Sequence, residues 1–187
     1  MKKNNVIRIF ALVLALMLML AALSACGGKK SGSPADDAGN GDATEATESG
    51  AAEVAGAEET WGNITLLIPE GMTLKGGSLI DEDDPNVLSV TLDENETHYI
   101  MVNVVEEETA KTSIDTTKEM NASSDPEDVT VDAGGVTWTG VAYKYAGMSD
   151  CFQLYGNVNG KTVLVSGGWF AYNDPTTTAV LVSLKVA

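Results

Sequence analysis

Few side chains in this sequence have chemistry to offer: one histidine, two cysteines, a dense acidic run and a set of aromatics. His98 would act as a general base only with a carboxylate brought to it by the fold. It stands in a strand-like stretch beside Thr97 and Tyr99, where an exposed or edge-strand histidine is the simpler reading. One histidine excludes a His-rich zinc or di-metal centre built within the chain, and no Cys-x-x-Cys pair occurs. Asp81-Glu82-Asp83-Asp84 gathers the oxygen donors that calcium takes, with Asp81, Asp83 and Asp84 as candidate ligands. The run departs from an EF-hand loop. With Asp81 as first ligand, Pro85 and Asn86 stand where the fifth ligand and the obligatory Gly belong, and Leu92 where the bidentate Glu belongs. A solvated loop fits it better. Among the aromatics of the second half, Trp138, Tyr143 and Trp169 are candidates for a ligand groove, although packing on a half-buried sheet explains the same residues. No Gly-x-Ser-x-Gly elbow, GxxxxGK[ST] phosphate loop or GxGxxG turn is present. The chain offers no recognisable catalytic set and calls for no cofactor.

The first cysteine has a more specific context. Lys2, Lys3 and Arg8 precede an apolar run from Ile9 to Leu23, the basic and apolar regions of a secretory signal. The run ends in Leu23-Ser24-Ala25-Cys26-Gly27 and is short for a membrane span, which takes about 20 residues. This segment resembles the signal peptide and lipobox of bacterial lipoproteins. The resemblance implies that a diacylglyceryl group is attached to the Cys26 sulfur, that residues 1–25 are removed, and that the protein is held on the extracytoplasmic face of a cell membrane. Two or three acyl chains hold a protein firmly where one does not.

Removing residues 1–25 takes three of the 11 basic residues and no acid, leaving 8 against 27 acids and a formal charge of −19. So acidic a surface repels nucleic acid and anionic headgroups, both of which are bound through Lys and Arg, so nucleic-acid binding is excluded. With Cys26 lipidated, only Cys151 remains and no disulfide framework can form. Cys151 lies in an apolar, strand-like stretch and reads as a buried thiol.

These residues need elements to position them. Gly27 to Thr60 is made of small and acidic residues, with Val54 its only large aliphatic. It cannot bury enough apolar surface to offset the entropy of ordering it, and is expected to be a disordered acidic tether spanning 26–60. From Trp61 to Ala187 the composition becomes that of one domain. Strands are expected at Asn63 to Ile68, Val87 to Leu92 and His98 to Val105, the last two joined by a polar loop at 93–96. A helix is expected over Thr109 to Ala122, its acidic approach Glu106-Glu107-Glu108 favoured by the helix dipole. A short strand at Val129 to Val131 and a longer one at Gly135 to Tyr145 follow. Cys151 to Asn157 and Lys161 to Gly167 flank Asn159-Gly160, a strong hairpin signal because both residues accept positive φ. Asp174 and Pro175 suit the start of a closing helix over Thr176 to Leu184 that packs Val180, Leu181 and Leu184 inward, with a last strand as the rival. Apolar residues on both faces of Trp138 to Tyr145 indicate a sheet covered on both sides.

The expected fold class is therefore α+β, an antiparallel sheet covered by one or two helices. This order, with Pro69-Glu70-Gly71, Tyr155-Gly156 before Gly160, and Val180 to Lys185, resembles the PsbP-like α/β/α sandwich. The resemblance implies a non-enzymatic binding or assembly protein. The function expected is a non-catalytic cell-surface module for a protein, peptide or envelope component, with a small-ligand or cation-binding accessory lipoprotein as the alternative. A hydrolase with an unrecognised carboxylate pair is a third possibility.

Overall fold

The structure, a computed structural model, describes residues 54–92 and 95–187. Residues 1–25, Cys26 and the linker to Glu53 lie outside the described residues, as do Asp93 and Glu94 of the loop expected at 93–96.

A hairpin opens the described chain, β1 (Gly56–Trp61) running antiparallel to β2 (Ile64–Pro69). This corrects the boundary at Trp61, because the last residues assigned to the tether form a paired strand. Gly56 to Thr60 is exposed throughout and shows no apolar alternation. Its order comes from the backbone ladder to β2 and from the exposed Lys185 Nζ to Glu58 Oε2 pair at 2.6 Å.

Seven strands form the main sheet: β3 (Met72–Gly76), β4 (Val87–Leu92), β5 (Asn95–Val105), β6 (Glu127–Ala133), β7 (Val136–Tyr145), β8 (Ser149–Val158) and β9 (Lys161–Gly168). Their spatial order is β3-β4-β5-β9-β8-β7-β6, every neighbouring pair antiparallel. Strand β3 has no counterpart in the sequence reading, and β6 is longer than the three residues expected. Helix α1 (Glu107–Met120) connects β5 to β6, and helix α2 (Pro175–Ser183) precedes β10 (Lys185–Val186), which pairs with β2 to complete a small sheet β1-β2-β10. The fold is thus α+β, with an antiparallel main sheet and two helices among the described residues.

Local chemistry explains the elements that were legible. Asn159 and Gly160 take φ of 53° and 80°, and the Asn157 side chain accepts the Gly160 amide at 2.9 Å, so the β8–β9 turn closes in two residues. Asp174 Oδ1 accepts the Thr176 amide at 2.8 Å with Pro175 at the first helical position, and helix wins over strand for 175–183. Glu107 and Glu108 fill the first turn of α1, and Glu107 pairs with Lys111 one turn on.

Because successive strand residues point to opposite faces, the main sheet has two surfaces. One carries Leu88, Ile100, Val102, Trp138, Phe152 and Val165 against β2, α2 and β10, and Leu66, Val180 and Leu181 close this core from the far side. Twenty buried residues belong to it. The opposite surface is covered by α1, where Ala110 and Ile114 meet Val141 and Leu164, four buried residues in all.

Candidate functional site

Helix α1 seals only part of its face. Its Thr117 hydroxyl donates to Gln153 Oε1 at 3.1 Å, and Gln153 Nε2 donates to Ser166 Oγ at 3.2 Å, which marks the edge of the covered region. The next row across β5, β9, β8 and β7 pairs Tyr99, Gly168, Cys151 and Tyr143 in register. This row lies outside the cluster that α1 seals. Tyr99, Cys151 and Tyr143 are half-buried. The gap at Gly168 is required, since a Cβ there would stand 2.6 Å from the Tyr99 ring, which lies over the glycine.

Burial sets the electrostatics of the row. It pushes the Tyr143 hydroxyl up to about 12, helped by the neighbouring Cys151 and Tyr99. The Tyr99 hydroxyl is raised in the same way, by burial first and Cys151 second. Burial also raises the Cys151 thiol, opposed in part by the backbone amides of Trp169 and Tyr145 that hydrogen-bond its sulfur. At neutral pH all three are protonated, so the row presents neutral hydroxyls and a thiol that is a poor nucleophile.

Tyr143 and Cys151 also line a cleft of about 220 Å³ with Asp125, Lys144, Asp150 and Tyr172. It forms where β6 ends: Glu127 opposes Ala142, and Tyr143 to Tyr145 run on past it. Asp125, with φ of 50°, turns the chain into β6 at the cleft margin. Lys144 Nζ and Asp150 Oδ1 pair at 2.6 Å on the rim, an exposed pair that neutralises itself. A second hollow, about 390 Å³, lies shallow against the β1–β2 hairpin and is lined by Gly56, Ala57, Glu59, Ile68 and Pro69 to Met72, without an aromatic or a nucleophile.

The three aromatic candidates separate. Tyr143 lies in the cleft. Trp169, 49 % exposed with φ of 66°, sends its amide to Cys151 and its ring to His98, stacked at 5.0 Å between centroids. Trp138 is fully buried on the other face, its indole Nε1–H donating to the Ala133 carbonyl at 3.3 Å. Trp138 is therefore corrected from ligand residue to core residue. Gly156 on the neighbouring strand was the available signal: a Cβ there would stand 2.9 Å from the Trp138 ring, and a small residue beside a large one makes room for it in a packed layer.

His98 is corrected too: β5 is an interior strand, and the ring packs on Trp169 and edge-on to Phe170 at 6.1 Å. Asp81, Asp83 and Asp84 do not converge. Asp81 Oδ1 accepts the Asp83 amide at 3.1 Å and Asp84 Oδ1 accepts the Asn86 amide at 2.9 Å, so two of these carboxylates cap turns of their own loop. Among the described residues no group of three or more His, Cys, Asp or Glu is arranged to hold a metal, and the candidate calcium set is corrected accordingly. The sequence reading missed Tyr99 and the cleft margin at Asp125, since both depend on strand register.

No protein-family model matches the chain, and no curated protein matches it. Among the described residues no helix is long and apolar enough to cross a membrane.

Proposed function

We propose that this chain is a lipid-anchored extracytoplasmic lipoprotein, held by Cys26, whose domain is a non-catalytic module for a protein or peptide of the cell envelope. The observation that carries the reading is the aromatic row at the open end of the α1 face, beside a cleft of about 220 Å³. Sites for small molecules enclose roughly 300–1,000 Å³. A cleft below that range suits one or two side chains of a larger partner, and neutral Tyr99, Tyr143 and Cys151 suit a partner's apolar and hydrogen-bonding groups. One helix against each surface of an antiparallel sheet supports the PsbP-like reading, whose members are mostly binding or assembly proteins.

The binding reading is tested with the full chain carrying Cys26→Ser. Short peptides and cell-wall glycan fragments are titrated in while the resonances of Tyr99, Tyr143, Cys151 and Trp169 are followed by NMR. Shifts with peptides that Tyr143→Ala abolishes support it. Turnover of any peptide or glycan, or shifts with glycans alone, overturn it. The anchor is tested separately by mass spectrometry of the membrane-extracted protein, where an acylated Cys26 is expected at the amino terminus.

A further inference from the structure

The β3–β4 loop holds two large aliphatic side chains in water. Leu79 and Ile80 have relative exposures of 103 % and 96 %, the two highest among the large hydrophobic residues described. The next most exposed large apolar side chains, Met148 and Met120, reach 74 % and 68 %, and a fully solvated Leu-Ile pair costs the free protein solubility without adding stability.

The loop that presents them is built. Ser78 Oγ accepts the amides of Ile80 and Asp81 at 3.4 and 3.1 Å, and the Ser78 amide donates to the Asp81 carbonyl at 2.7 Å. The far side is tied down by the Trp61 indole, which donates to the Asp84 carbonyl at 2.9 Å, and by the Asn63 amide, which donates to the Pro85 carbonyl at 3.1 Å. A turn fixed this way puts the pair forward without paying for ordering when it binds.

We propose that Leu79 and Ile80 form an apolar finger that enters a pocket on a partner protein whose rim is basic. The choice of partner rests on charge. Asp81, Glu82, Asp83 and Asp84 follow the pair directly, in a chain with 27 acids and 11 basic residues. A basic rim meets that run with opposite charge and fixes its orientation. An anionic membrane surface repels it, and a second copy of this chain would set the same acids against each other. The inference does not depend on the cleft at Tyr143, which other strands line.

The test places a photo-crosslinking amino acid at position 79 of the full chain in its native cells, with position 120, an exposed Met at the end of α1, as the control. Crosslinked peptides are sequenced by mass spectrometry. The expected result is one protein captured from position 79 and not from 120, through a segment with Lys or Arg beside apolar residues. Asp83→Asn with Asp84→Asn, or raised salt, should lower the yield about fivefold or more, the scale of a lost charge complement. Ile80→Ser should weaken binding of the purified partner roughly 10-fold or more. Because position 80 is solvated, the melting temperature of Ile80→Ser stays at the parent value, which separates lost binding from lost folding. Crosslinks to lipid, flotation with phosphatidylglycerol vesicles, crosslinks to this chain itself, capture through a segment without basic residues, or capture unaffected by the charge variants each overturn the proposal, as does the absence of a product specific to position 79.

Discussion

The two surfaces of the main sheet are made from the same strands and have opposite fates. The side packed against β2, α2 and β10 holds a cluster of twenty buried residues drawn from the sheet and its cover, while the side under α1 holds four and leaves Tyr99, Cys151 and Tyr143 half in water. Strand alternation gives both surfaces apolar residues, so the difference comes from what covers them. A small sheet and a helix together reach across most of one side. A single helix of 14 residues reaches across part of the other. The first surface supplies stability, and the second leaves aromatic and polar groups in partial contact with water.

The comparison breaks most visibly at Trp138. Replacing it by Ala removes a large, fully buried side chain and should cost about 3–5 kcal/mol, read as a collapse of the urea midpoint. A loss as small as that of a surface variant would mean the sealed core does not hold the domain together. Ile114→Ala, on the thinly covered side, should cost about 2 kcal/mol and speed amide exchange in α1 ahead of the strands. Equal acceleration across β2 and α2 would show that the two surfaces are one cooperative unit. Asp174→Ala removes the cap of α2 and should cost about 1 kcal/mol by thermal or urea melting.

A pH dependence sharpens the contrast. The Tyr143 hydroxyl is raised to about 12 in the folded protein, chiefly by burial, against about 10 in the unfolded chain. Between these values the unfolded state gives up the proton first, so stability present below pH 10 declines as pH rises towards 12. Melting curves across that interval should show a shallower decline in Tyr143→Phe than in the parent. Identical slopes would mean that Tyr143 is already ionised along with exposed tyrosines.

Elements whose identity is set locally were legible. Asn159-Gly160 fixes its turn by backbone conformation, and Asp174-Pro175 fixes a helix start by one side-chain hydrogen bond. Val180, Leu181 and Leu184 point inward as their spacing requires. Strand β1 was illegible because Gly56-Ala57-Glu58-Glu59-Thr60 is an exposed edge strand, specified by its partner and not by its own composition. The site was half legible for a related reason. The aromatics are plain in the sequence, but which surface receives a second sheet is not, and so Trp138 and Tyr143 looked alike until register separated core from cleft. The acidic run reads as a solvated loop, and the structure shows why its composition also suggested a cation site: a carboxylate that caps its own turn has the same composition as one that binds a cation.

Strand β1 also determines how the domain answers a mechanical load. It forms an antiparallel hairpin with β2 and buries almost nothing, so under tension on the chain before Gly56 it is held only by its backbone ladder and the exposed Lys185–Glu58 pair. Peeling stops at Trp61, whose ring packs under Gly76 and whose indole is held by Asp84. A single-molecule pull from the amino-terminal side should record the loss of β1 as a step before the main rupture, and a single rupture would contradict it. The hairpin thus works as a mechanical fuse, yielding to a tug while the twenty-residue core keeps its shape.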